Sequence, residues 1–198
     1  IPAGNPRREG YILEVEDHLI RVRAAHSRGL FYGVQSFLQL VDWSRRSLRG
    51  LRIVDWPDME FRAVHISTWY RLDRPGYYRR CFEQLSRYKI NAVVFELEDK
   101  FSYRRHPTLS APGALTAEEV RESVRYAKQH FIEIVPLVQT MGHVAFIAKQ
   151  PEFSPLREVP MSNWQLCPLK PGMLELAGDI LDEMIEATPG TKYFNIGG

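Results

Sequence analysis

A change of rhythm at Phe61 constrains this 198-residue chain more than any other feature. From there FRAVHIS, NAVVFEL, IEIVPLV and YFNIG recur as short apolar runs, separated by stretches of helical periodicity. Runs this continuously apolar cannot turn one face to water, so they read as four parallel strands covered by helices. Four such repeats in about 140 residues fit the spacing of roughly 250 residues per eight units, which is half of a (β/α)8 barrel. An α/β protein with the first half of a TIM barrel over residues 58–198 is therefore expected. An open doubly wound sheet is the alternative topology, but no GxGxxG follows any strand, so a dinucleotide site has no support.

The helices between the strands carry their own signals. GYYRRCFEQLSRYK places Tyr78, Cys81, Phe82 and Leu85 on one face, and Thr116 with Glu119 forms a capping box ahead of Val120, Val124 and Ala127. In PGMLELAGDILDEMIEATPG the expected stripe is Leu174, Ala177, Ile180, Leu181 and Met184, between Pro171 at the start and Pro189-Gly190 as the stop. Upstream, Tyr11, Leu13 and Val15 alternate with polar residues, Glu16-Asp17 supplies a turn, and Ile20, Val22 and Ala24 alternate again, which predicts a hairpin. A helix with Leu30, Val34, Phe37, Leu38 and Val41 on its apolar face follows, with Gly29 and Gly33 marking close packing on the sheet. The strand LRIVD and the junction WPD close a partial α/β domain over residues 1–57.

Composition excludes more than it identifies. Twenty-six basic and 24 acidic residues are mixed along the chain for a net charge of +2, which offers no footprint for nucleic acid or an anionic membrane. Cys81 and Cys167 lie far apart with no CxxC neighbour or His partner at metal spacing, so neither a disulfide framework nor a zinc site is expected. No apolar run reaches the ~20 residues of a membrane helix and no signal peptide opens the chain, although IPAGNPRREG reads as if it began mid-sequence.

In a barrel, chemistry sits where strands end. The first strand ends in HISTWYRLDR, the second in ELEDKFSYRRH, the third in QTMGH and the fourth in a glycine pair. Glu96, Glu98 and Asp99 gather three carboxylates at the second strand end, where the bland reading is a solvated rim paired with Lys100, Arg104 and Arg105. His143 follows the third strand, where a neighbouring carboxylate could fix its tautomer. Trp69, Tyr70, Tyr103 and Trp164 fall in the same rim loops, offering flat faces to sugar rings or merely loop packing.

These segments together resemble glycoside hydrolase family twenty, the β-N-acetylhexosaminidases. EGYILEVEDHLIRVRAAHSRGLFYGVQSFLQL resembles the small α/β domain before the catalytic barrel, and IVDWPDMEFRAVHIS the linker and first barrel strand. YKINAVVFELEDKFSY is similar to the second-strand motif of the hexosaminidase D-like branch, and MGH to the loop after strand three. KYFNIGG resembles the fourth-strand motif, which in the family runs directly into an Asp-Glu pair. The resemblance implies removal of terminal N-acetylhexosamine from β-linked glycans by a retaining, substrate-assisted mechanism without a cofactor. In that scheme the Asp orients the 2-acetamido group and the Glu protonates the departing oxygen. It implies that Asp99 and His143 support this pair, with Glu96, Glu98, Trp69, Tyr70 and Arg71 at the substrate, and that the branch is cytoplasmic. The chain then reads as a fragment that stops just before its acids, inactive alone and poorly soluble through apolar strand edges.

Three departures qualify the resemblance. Arg71 stands one position from where the family places a sugar-gripping Arg, the usual second-strand His motif is replaced by Glu96-Leu97-Glu98-Asp99, and Gln139-Thr140-Met141 replaces the Asp and Pro of the third loop. A noncatalytic carbohydrate-binding relative is thus one alternative. A metal held by Glu96, Glu98, Asp99, His106 and His143 is another, though no HxH or HExxH spacing supports it.

Overall fold

A computed structural model describes residues 9–69 and 71–197. The chain forms two compact units, one built from the chain through Arg62 with Phe82–Asn91, the other from Ala63–Cys81 with the chain from Ala92 onward.

The first unit is a three-stranded antiparallel sheet under one helix. Strands β1 (Tyr11–Glu16) and β2 (Leu19–Ala24) form the expected hairpin, and β3 (Leu51–Asp55) pairs with the other edge of β1, giving the order β2-β1-β3. Period-2 alternation buries Tyr11, Leu13 and Val15, while on the opposite face Glu14 gathers Arg21, Arg23 and Arg52. Helix α1 (Ser27–Leu40) covers the buried side. Its orientation corrects the sequence reading: Leu30, Val34 and Leu38 are exposed, and the buried face is Gly29, Tyr32 and Gly33. A Cβ on Gly29 would collide with the Gly10 carbonyl and lie 2.9 Å from the Ala24 Cβ, and one on Gly33 would strike Val22. Close approach of backbone to sheet at the two expected glycines thus sets the helix rotation, and of the expected stripe Phe37 still packs on the core while Leu30, Val34 and Leu38 are left outside.

The second unit holds the parallel strands β4 (Ala63–Ser67), β5 (Ala92–Glu96) and β6 (Glu133–Leu137), in that order and in register: Ser67 lies beside Glu96, and Glu96 beside Leu137. Between them run α2 (Pro75–Arg87) and α3 (Ala117–Gln129), with a single turn α4 (Ala145–Ala148) and α5 (Met173–Ala187) after β6. The Tyr78 ring of α2 packs edge-on against Phe95 at 5.0 Å, which places α2 on the Val93–Phe95 face of the sheet. The other face carries Ala63, His65 and Ser67 of β4, all exposed, beside Val94 and Glu96. The α3 capping box forms as expected, with Glu119 N–H donating to Thr116 Oγ1 and Thr116 N–H to Glu119 Oε2. In α5 the buried stripe is Met173, Leu176, Ile180, Glu183, Met184 and Ala187, and the expected Leu174 is exposed. The helix is rotated so that a glutamate occupies its core face.

The fourth expected strand, YFNIG, is reduced to one parallel bridge between Leu137 and Asn195. Asn195 N–H donates to Pro136 O and its carbonyl accepts from Val138 N–H, while Tyr193 and Ile196 are exposed. Gly197 then adopts φ +72°, which ends the extended backbone. The chain is an α/β protein in which a small α/β domain is followed in sequence by part of a (β/α)8 barrel.

Candidate functional site

The end of β5 places three acidic side chains in three different environments. Glu96 points to the open face, is buried, and receives two donors: Gln139 Nε2 at 2.8 Å on Oε1 and His65 Nε2 at 3.1 Å on Oε2. A ring nitrogen facing a carboxylate carries the proton, so Nε2 of His65 is the donor. Thr68 fixes the end of β4 to the same place, its hydroxyl donating to the carbonyls of Glu96 and Leu97.

Glu98 lies in a short 3-10 turn, Glu98–Lys100, at φ +46°, a conformation non-glycine residues seldom adopt without a reason. Its side chain is 3% exposed and Oε1 has no hydrogen-bond partner among the described residues. Burial, reinforced by the charges of Glu96 and Asp99, pushes its carboxyl up to about 7. The nearby phenol of Tyr103 is equally buried and its hydroxyl likewise has no partner among the described residues; burial, then Glu98, raise it above its ordinary range.

Asp99 is engaged by cations. Lys100 Nζ contacts one carboxylate oxygen and Lys149 Nζ lies 3.6 Å from the other. His143, at φ +56°, is exposed and packs among rings, with Trp164 at 4.8 Å and Trp69 at 6.4 Å. Trp69 and Trp164 are themselves 6.0 Å apart. A set of bridges holds this group together: Gly142 pairs with Gln165, and Arg157 with Leu166, so residues 141–143, 156–158 and 164–167 form a small antiparallel patch after β6. Among the described residues no hydrogen bond or ion pair joins Asp99 to His143.

The remaining candidates separate further. Arg71 is exposed, bonded to Asp73 at 3.1 Å, and lies over the Tyr77 ring. Tyr70 lies outside the described residues. His106 is turned to Asp179 at 2.9 Å, and among the described residues no group of three or more His, Cys, Asp or Glu is placed to hold a metal ion.

Contacts to the Asn195–Gly197 segment come from residues 136–140. Thr140 Oγ1 donates to Ile196 O, and Gly197 lies so close to Gln139 that an added Cβ would strike its Oε1 and come within 2.9 Å of its Cα. Sequence reasoning missed His65, whose relation to Glu96 appears only once strand register is known. It also missed Glu183, a carboxylate hidden in a helical stripe, which accepts Arg104 N–H and Arg105 N–H and so fastens the rim loop to α5.

Parallel strands with carboxylates gathered at their C-terminal ends define a barrel protein whose chemistry belongs on that rim. Residues 2–56 match glycosyl hydrolase family 20, domain 2, and residues 77–198 match the glycosyl hydrolase family 20 catalytic domain, so the chain belongs to glycosyl hydrolase family 20. It is 35% identical to hexosaminidase D of Bos taurus over 108 residues, which cover 54% of this chain and 31% of that protein. To the beta-hexosaminidase of Porphyromonas gingivalis it is 25% identical over 97% of this chain and 29% of that protein. Among solved structures, the Streptomyces plicatus beta-hexosaminidase D313N mutant in complex with product (GlcNAc) superposes with a TM-score of 0.81 at 25% identity. That match covers 98% of this chain and 45% of the solved one. The chain thus spans about a third of the length of these curated relatives.

Proposed function

We propose that this chain contributes the first strands of an exo-acting β-N-acetylhexosaminidase site. The observation that carries the reading is the buried carboxylate group at the end of β5, one hydrogen bond from the Asn195–Gly197 segment through Gln139. The resemblance of KYFNIGG to the family's fourth strand supports an Asp-Glu pair carried on the continuation of that segment, and so a chain that is one part of a longer enzyme.

In this reading the Asp holds the substrate's acetamido group while its carbonyl oxygen attacks the anomeric carbon. The bond to the leaving oxygen breaks as that oxygen takes the proton of the Glu. Water then opens the cyclic intermediate at the anomeric carbon, returning a proton to the Glu and retaining configuration. The proton donor must stay protonated near neutral pH, which the acidic, poorly solvated end of β5 favours. Asp99 and His143 are its supporting residues by family position, and Trp69 and Trp164 offer apolar faces to the sugar. The division into a domain over 1–57 and barrel strands over 58–198, and a cytoplasmic location, belong to the same reading. Among the described residues no helix is long and apolar enough to cross a membrane.

Hydrolysis of an aryl N-acetyl-β-glucosaminide by the full-length gene product, with retention of configuration in the first-formed sugar, is the expected result. A product that binds the sugar without turning it over would instead support a noncatalytic relative. The engagement of Arg71 by Asp73 and Tyr77, away from a gripping role, favours that second reading.

A further inference from the structure

His65, Glu96, Gln139 and Gly197 form a diagonal across the open face of the sheet. His65 stands beside Val94 on β4, Glu96 lies one row further at the end of β5, and Gln139 lies two residues beyond the end of β6. Both oxygens of Glu96 are taken, one by each neighbour, and the amide of Gln139 so fixed lies directly against the left-handed Gly197. Asn195 is bonded on both sides to residues 136 and 138, and Ile196 to Thr140. The path of the segment is therefore set by residues 136–140, in which Gln139 is the member whose side chain is locked from outside the segment.

We infer that Glu96 is a positioning residue: by locking Gln139 it fixes the path along which the Asn195–Gly197 segment leaves the sheet. The inference rests on the reading that the reacting carboxylates follow this segment. A carboxylate suits the task because two donors converge on it, and each bond to a charged acceptor is shorter and stronger than a neutral one. Glu96→Gln keeps the shape but replaces the charged acceptor by a neutral amide: His65 can shift its proton to Nδ1 and accept from the new NH2, whereas Gln139 is left with a weaker, neutral acceptor. Misplacing a reacting group by about 1 Å costs on the order of 100-fold in rate.

The test uses the full-length protein with an aryl N-acetyl-β-glucosaminide, comparing Glu96→Gln, Gln139→Ala, the double variant and His65→Ala. The expected result is a fall in kcat of about 10- to 100-fold for each of the first two, with KM changed by less than about twofold. The double variant should be no worse than the poorer single one, because both act through one contact. His65→Ala should lose less, since Gln139 keeps its bond to Glu96. A rise in KM at unchanged kcat would make Glu96 a direct sugar contact and overturn the inference, as would additive losses in the double variant. If the Gln139 variant unfolds, Gln139→Glu serves in its place: it sets a carboxylate against Glu96 and should reproduce the kcat loss. A wild-type protein that hydrolyses nothing would overturn the hexosaminidase reading itself.

Discussion

Two buried glutamates in the same unit live under opposite rules. Glu183, on the core face of α5, is 2% exposed and receives the N–H groups of Arg104 and Arg105 at 2.7 and 2.8 Å, with the Arg104 guanidinium beside it. Glu98, at the end of β5, is 3% exposed, yet among the described residues one of its oxygens has no partner, and the charges of Glu96 and Asp99 act against its ionisation more than Lys100 and Lys149 favour it. Burial is the same in both, and satisfaction is not. The seam between α5 and the rim loop is built to hold shape, whereas the strand end holds an unrelieved electrostatic cost of the kind that concentrates at working sites.

Removing the satisfied carboxylate should have the larger effect on stability. Glu183→Ala takes the shared acceptor from two part-buried N–H donors and should destabilise the protein by about 2–3 kcal/mol in chemical denaturation, with Glu183→Gln losing less because its oxygen still accepts one of them. An equal loss in both variants would mean that charge, rather than donor satisfaction, holds the seam.

Next in size is the reverse case. Glu98 holds its proton up to about 7 in the folded protein against an ordinary 4.5. Its contribution is therefore fully present below pH 4.5 and is lost as pH rises through about 7. Glu98→Gln should gain on the order of 2 kcal/mol relative to wild type at pH 8, gain little at pH 4, and flatten that part of the pH–stability curve. A variant that is equally stable relative to wild type at both pH values would break the contrast between the two glutamates.

The smallest effect belongs to the outer side of the same seam. Arg105 reaches the half-buried Asp179 and the exposed Asp182 from the surface, and Arg105→Ala should leave the denaturation midpoint unchanged within error, since its backbone N–H still meets Glu183. A clear loss would show that the side-chain network, not the buried carboxylate, anchors the loop.

What could be read from the sequence follows the range of the interaction responsible. The Thr116–Glu119 capping box spans three residues and was fully legible, as were the hairpin from Tyr11 to Ala24 and the three parallel strands. In α1 the close packing at Gly29 and Gly33 was legible, but the exposure of Leu30, Val34 and Leu38 was not, because periodicity weighs apolar side chains and the two glycines decide the rotation. YFNIG has the composition of a strand, yet hydrogen bonding on one side at Asn195 and the turn at Gly197 leave it a single bridge. Of the site, the acidic cluster and His143 were visible as residue types at strand ends. Three acids in four positions look alike on paper, however. Their division into a bonded Glu96, an orphaned Glu98 and a lysine-paired Asp99 depends on register and depth, which are properties of the folded sheet.

The crowding at Gly197 bears on how this protein could be re-engineered. A Cβ at position 197 would still lie 2.9 Å from the Gln139 Cα and 3.2 Å from the Val138 carbonyl oxygen after the Gln139 side chain was removed, so shrinking residue 139 would not open room for anything larger. In a library randomised at both positions, survivors should all keep glycine at 197 whatever they carry at 139, which makes this a one-letter site with no second-site suppressor nearby.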